Sequence, residues 1–203
     1  MNLTPLNQTK IYGLENYLIE FDRLYKNNNL PNKILLSGLK GIGKCTLAYH
    51  LINLILSEND NYPYDLSELR INDESKTFKL IQNGTCPNFN LIDIDSDKKS
   101  IDINQIRNLI TNLNKSSFNS KPRFVLIDNI EFLNLNSVNA LLKILEEPNN
   151  NIYFILIHNN KKIISTLLSR CLNFKISLNN SQIDEINQYL FPDDLNNMIN
   201  SDF

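Results

Sequence analysis

The sequence predicts an α/β fold, a mostly parallel sheet wound on both faces by helices. Two observations predict it. Short apolar runs alternate with stretches of helical spacing, the pattern of strand–helix–strand units. A glycine-rich turn falls between the first such strand and the helix after it, the setting in which glycine loops cradle phosphates.

The elements follow in order. Residues 11–26 place Leu14, Leu18, Phe21 and Leu24 at helical spacing. Residues 33–37 form a short apolar strand after Pro31, and a helix from 44 to 57 carries Leu47, Leu51, Leu54 and Ile55. Residues 57–85 are polar and read as an irregular insertion. A second strand is expected at 89–94 and a helix at 101–115, with Ile103, Ile106, Ile110 and Leu113 on one face. The run 123–128 is apolar until it ends in Asp128. A helix at 134–146 buries Val138, Leu141, Leu142 and Leu145, and Pro148 stops it. Strands at 152–158 and 172–176 complete five, and Ser181 is placed to cap a last helix through Leu190.

Composition sets bounds. The 203 residues suffice for one good core and a small appendage. A net charge of -2 gives no bulk attraction to nucleic acid. Cys45, Cys86 and Cys171 are scattered, which argues against a disulfide framework and a zinc site. There is no basic-then-apolar leader at the N-terminus. No apolar run reaches the roughly 18 residues of a membrane span. A cytoplasmic protein is expected.

The loop Gly38-Leu39-Lys40-Gly41-Ile42-Gly43-Lys44 holds three of the chain's five glycines. Glycine permits the dihedrals that turn backbone N–H groups inward around a phosphate. The following helix adds its N-terminal dipole, and Lys44 reaches the terminal phosphates. One position departs from the motif. A Ser or Thr should follow the lysine and bind Mg²⁺ through its hydroxyl. Cys45 stands there instead, and a thiol is a poor ligand for a hard cation. Thr46 should sit one step away, facing the α-phosphate.

Asp128 ends a strand where a phosphate-loop protein places its Mg²⁺-associated aspartate. Alone it reads equally as a strand-end or helix-capping residue; the loop upstream favours function. A Glu often follows this aspartate in active ATPases. Here Asn129 follows, and an amide cannot accept a proton from water. Glu131 is a weak substitute two residues on. Nucleotide binding is therefore expected, with impaired hydrolysis and poor Mg²⁺ handling.

Three further segments carry a resemblance. Leu30-Pro31-Asn32-Lys33-Ile34-Leu35-Leu36-Ser37-Gly38 leads into the loop, Asn139-Ala140-Leu141-Leu142-Lys143-Ile144-Leu145-Glu146-Glu147-Pro148 follows, and then Leu168-Ser169-Arg170-Cys171. The chain resembles the delta-prime subunits of bacterial DNA polymerase III clamp loaders, within the AAA+ ATPases, over residues 10–180. Loss of the residues expected at 45 and 129 is what distinguishes this type from the motor subunits. The resemblance implies a P-loop AAA+ domain at 1–177, with a five-stranded parallel sheet, and the start of a small helical lid at 178–203. It implies a non-motor role in loading the sliding clamp, with motor and delta subunits as partners and primed DNA met indirectly. Arg170 would act in trans as an arginine finger on a neighbour's ATP; on its triplet alone it reads as a surface arginine. Asn159 matches the polar sensor position, with Asn160 or His158 as alternatives. Gly38, Gly41, Ile42, Gly43, Lys44, Cys45, Thr46, Asp128 and Asn159 would hold the nucleotide. The zinc module of some relatives has no counterpart, since only Cys86 lies in the matching region. The helical collar of such subunits has none either, so the sequence is expected to be a fragment or a short form. An active gamma/tau-type ATPase and a small-molecule P-loop kinase are the competing readings.

Overall fold

The computed structural model describes residues 4–95, 97–115, 119–146, 151–159 and 165–190. Five parallel strands are β1 (Lys33–Ser37), β2 (Phe89–Ile92), β3 (Arg123–Ile127), β4 (Ile152–His158) and β5 (Leu172–Lys175). They lie in the order β2-β3-β4-β1-β5. Leu35 pairs with Leu156 of β4 and with Asn173 of β5, which puts β1 inside the sheet.

Alternation of side chains divides the core between two faces. Ile34, Leu36, Phe124, Leu126, Ile155 and Ile157 point to one face. There they meet Leu18 and Phe21 of α1 (Glu15–Lys26) and Leu47, Leu51 and Ile55 of α2 (Lys44–Leu56). Leu35, Val125, Ile127 and Leu156 point to the other face. They meet Ile106, Leu109 and Leu113 of α4 (Ile103–Leu113) and Val138, Leu141 and Leu145 of α5 (Leu135–Glu146). Both faces of every inner strand are covered, so these strands read as continuous apolar runs.

The expected strands form, and three local readings need correction. The helix expected from residue 11 starts at Glu15, because Gly13 takes φ +71° and its N–H is held by Glu15 Oε1 at 2.7 Å. The insertion at 57–85 is not irregular throughout. It contains α3 (Lys76–Gln82), capped by Ser75 Oγ and burying Phe78 and Ile81. Asp60, in the turn after α2, holds it by accepting the Thr77 N–H and the Ser75 hydroxyl, and the Thr77 hydroxyl donates to the Leu56 carbonyl of α2. The last helix, α7 (Asn180–Leu190), is capped by Asn179 rather than Ser181. Asn179 Oδ1 accepts the Gln182 N–H at 2.8 Å, and Gln182 Oε1 accepts the Asn179 N–H at 2.9 Å, a reciprocal box. One short helix was not foreseen, α6 (Ser165–Leu168). Pro148 lies outside the described residues.

Candidate nucleotide site

In a parallel sheet, ligands gather at the ends where strands finish, near the point where successive connections run in opposite directions. Here the chain leaves β1 for the far edge at β2 and leaves β4 for the opposite edge at β5. The loops after β1, β3 and β4 therefore share one crevice. They deliver Gly38–Lys44, Asp128 and Asn129, and Asn159.

The glycines have separate causes. A Cβ on Gly38 would lie 2.3 Å from the Ile176 carbonyl oxygen, so the loop passes where no side chain fits. Gly41 and Gly43 take φ of +86° and +89°. Lys44 begins α2, is 3% exposed, and donates to the carbonyls of Gly38 and Leu39. Burial lowers its pKa, against the pull of Asp128, Glu131 and Cys45. A phosphate would give this ammonium a charged acceptor in place of two neutral carbonyls, a stronger hydrogen bond.

Lys44, Cys45, Thr46, Asp128, Asn129 and Asn159 line a cavity of about 320 Å³. His158 is buried at the end of β4 and is not one of the lining residues. Asn160 lies outside the described residues. The Cys45 thiol donates to Asp128 and is held protonated, by burial first and then by the Asp128 charge. Burial and the Asp93 charge raise the Asp128 pKa, while the Asn129 N–H and the thiol hold it down. Asn129 takes a left-handed φ of +55°. Its amide nitrogen donates to Asp93 Oδ1 at 3.0 Å, and its amide oxygen accepts from Asn159 Nδ2 at 3.0 Å. Glu131 Oε2 is buried with no hydrogen-bond partner.

A second cavity, of about 500 Å³, adjoins the first at Thr46, Lys40, Gly41 and Gly43. Its walls include Ile11, Leu14, Ile42, Leu178, Ile183 and Ile186. An apolar slot beside a phosphate loop has the chemistry to take a nucleoside base. Sequence reading missed this slot, because its walls come from residues 8–14 and 178–187. The helix α7 closes one side of it. Gln182 Nε2 donates to the Gly13 carbonyl at 2.8 Å, and Tyr12 stacks on Tyr189 with ring centroids 5.1 Å apart.

The donor set thus fits a nucleotide. It does not fit Mg²⁺ in the usual way, since a protonated soft thiol stands where a hydroxyl should bind. Among the described residues, no three His, Cys, Asp or Glu gather to hold a metal ion.

Arg170 is elsewhere. Ile34 of β1 pairs with Leu172 and Ser37 with Lys175. Arg170 therefore lies at the end of the sheet where strands begin, opposite the loop. A strand of this length spans roughly 17 Å. Its Nε and Nη2 donate to Glu146 Oε1 at 3.2 and 2.6 Å.

A family model described as DNA polymerase III, delta subunit, matches residues 13–180. The chain belongs to that family. Membership in the DNA polymerase III delta subunit family agrees with the resemblance read from the motifs, and it gives the kinase alternative no support. The chain is 31% identical over 175 residues to DNA polymerase III subunit gamma of Buchnera aphidicola subsp. Schizaphis graminum, covering 86% of this chain and 46% of that one. It is 31% identical over 139 residues to subunit delta' of Pseudomonas aeruginosa, covering 68% of this chain and 40% of the relative. The chain thus spans less than half the length of these curated relatives. Among solved structures, a DNA polymerase III gamma subunit-related protein of Thermotoga maritima superposes with a TM-score of 0.58 at 18% identity, over 83% of this chain and 49% of that one. The RuvB Holliday junction branch migration motor of the same organism gives 0.53 at 18% identity, over 91% and 53%. These likenesses show the AAA+ fold. No helix among the described residues is long and apolar enough to cross a membrane.

Proposed function

We propose that this chain is a non-motor, delta-prime-like subunit of a cytoplasmic clamp loader, supporting ATP-dependent loading of the sliding clamp on primed DNA. Motor and delta subunits are its partners. Residues 1–177 form its P-loop domain, and residues from 178 on begin its lid.

The observation that carries this reading is Asn129. A general base for hydrolysis must accept a proton from the attacking water. At the position next to Asp128 stands an amide already spent on Asp93 and Asn159. Cys45 weakens the same site on the metal side. Hydrolysis by this chain is therefore absent or slow, although the loop retains its shape.

Arg170 then has a use away from its own site. It cannot reach its own loop across the sheet, and it is offered at an edge beside exposed Leu168 and Leu172. Arginine flanked by exposed apolar residues is a common composition for an interface. From there it can reach a neighbour's ATP and stabilise charge on the transferring phosphoryl group.

The test is reconstitution with clamp-loader motor subunits, measuring clamp- and DNA-stimulated ATP turnover. Wild type should join the complex and raise turnover, and Arg170→Ala should join but fail to. A chain that neither joins nor changes turnover would refute the proposal. The similar identities to gamma and delta' relatives keep one rival in view, an active gamma/tau-type subunit. Turnover by the purified chain that is lost in Lys44→Ala would favour that rival.

A further inference from the structure

We infer that Glu146 is a positioning residue for Arg170, setting the guanidinium so that its outer edge can meet a phosphate on the neighbouring subunit. This rests on the reading of Arg170 as an arginine finger.

The hydrogen bonds divide the guanidinium into two edges. Nε and Nη2 both donate to Glu146 Oε1, at 3.2 and 2.6 Å. Nη1 donates to the Thr166 carbonyl at 3.1 Å. A guanidinium carries five N–H groups in a fixed planar fork. These bonds engage one N–H on each nitrogen, which leaves one on Nη1 and one on Nη2. The one on Nη1 has a long bond of 3.4 Å to Ser169 Oγ, a weak contact. The two together form the outer fork, the pair that grips two oxygens of a phosphate. Glu146 takes the inner edge and does not compete for that fork.

Both ends of this contact are rooted in the core. Glu146 ends α5 directly after Leu145, which is fully buried and whose carbonyl accepts from Lys33 Nζ of β1 at 3.1 Å. Arg170 lies between Leu167, also buried, and Cys171, which packs on the same apolar cluster. An arginine left free samples many rotamers, and only some of them face a neighbouring phosphate. The bonds to Glu146 and Thr166 select one before assembly, so less freedom is lost when the phosphate is met. The ion pair is partly exposed, so removing it leaves the fold intact and frees the arginine.

The experiment is ATP turnover by the full chain reconstituted with clamp-loader motor subunits, clamp and primed DNA, read as kcat and KM separately. A finger acts on the transition state, so misplacing it should lower kcat and spare KM. Glu146→Ala is expected to enter the complex and to lower kcat about ten-fold, with KM for ATP unchanged. Glu146→Gln keeps an accepting oxygen at the same place and should recover most of that loss. Adding Glu146→Ala to Arg170→Ala should lower turnover no further, since the residue acts through Arg170. Unchanged or raised kcat in Glu146→Ala overturns the inference while leaving the finger intact. So does a further loss on top of Arg170→Ala, or failure of Glu146→Ala to enter the complex. A Glu146→Gln as impaired as Glu146→Ala overturns positioning through the accepted hydrogen bonds. Wild-type turnover in Arg170→Ala removes the finger itself, and this inference with it.

Discussion

Gly38 and Gly41 sit three residues apart in one loop, yet a methyl group meets different obstacles at each. At Gly41 a Cβ finds nothing within 4 Å, so only the φ of +86° resists it. At Gly38 the same atom would lie 2.3 Å from the backbone oxygen of Ile176, which β1 and the end of β5 hold in place. Gly41→Ala should cost about 1 kcal/mol and Gly38→Ala about 3 kcal/mol. Urea midpoints at unchanged slope would measure both; equal costs would contradict the close approach at Gly38. His50 gives a second prediction at this scale. It is fully buried, with Nε2 3.1 Å from the Gln8 carbonyl and Nδ1 2.7 Å from the Tyr64 hydroxyl. The carbonyl accepts only, so Nε2 carries the proton and Nδ1 accepts from Tyr64. A second proton would break that bond, and burial pushes the His50 pKa down to about 4. The folded state thus binds the proton later than the unfolded state does. The His50 contribution is intact above pH 6.5 and is lost as pH falls toward 4, by roughly 3 kcal/mol in all. The wild-type stability profile should fall more steeply across that window than that of His50→Gln. Parallel profiles would show that His50 is not held neutral.

The helix α7 belongs to the next scale, since its position depends on a cap and two contacts with residues 10–14. Asn179→Ala removes the reciprocal box with Gln182 and should destabilise the helix locally by about 1 kcal/mol. Tyr189→Ala removes the stack on Tyr12. Either change should speed amide exchange in α7 without affecting β1 or β4, and should weaken binding in the apolar slot that α7 walls. Exchange unchanged in α7 would mean that other contacts hold it. Elements of this kind mark how far the sequence is legible. The buried stretches of β1 and β4, Ile34–Leu36 and Phe154–Ile157, are apolar throughout, because both faces of these strands are covered. α3 was hidden, because Lys76, Thr77 and Lys79 surround its buried Phe78 and Ile81 and mask the period. In the candidate site, the glycine loop and Asp128 were visible as local patterns. Asp93 was not, because its meeting with Asn129 follows from β2 lying beside β3, and strand order is not a local property. The apolar slot was hidden for the same reason, its two walls lying at opposite ends of the described chain.

At the scale of the whole molecule, the parallel sheet gives the domain two distinct ends. The loop, Asp128 and Asn159 occupy the end where strands finish; Arg170, Leu168 and Leu172 occupy the region where β5 begins. A surface that offers an arginine at one end and a phosphate loop at the other is suited to head-to-tail contact, in which each subunit completes a site on the next. Because the ends are separate, so should be the effects of mutation. The ion pair of Arg170 with Glu146 is solvent-exposed, at 32% and 52% of the two side chains, so losing it should cost the isolated chain less than about 1 kcal/mol. Leu172 is 54% exposed on an edge strand, and Leu172→Glu should be as mild. Both variants should fold and should bind nucleotide as wild type does. In a reconstituted assembly the two should part. Leu172→Glu should weaken entry into the complex, seen on gel filtration with its partners as a shift of the chain from the early-eluting complex to the later position of the free chain. Arg170→Ala should enter normally and lower turnover at the neighbouring site by about 10³-fold, the lower range for an arginine finger. If Arg170→Ala disturbed nucleotide binding in the isolated chain, the separation of the two ends would be wrong. If it left assembled turnover untouched, Arg170 would be no more than the exposed partner of Glu146.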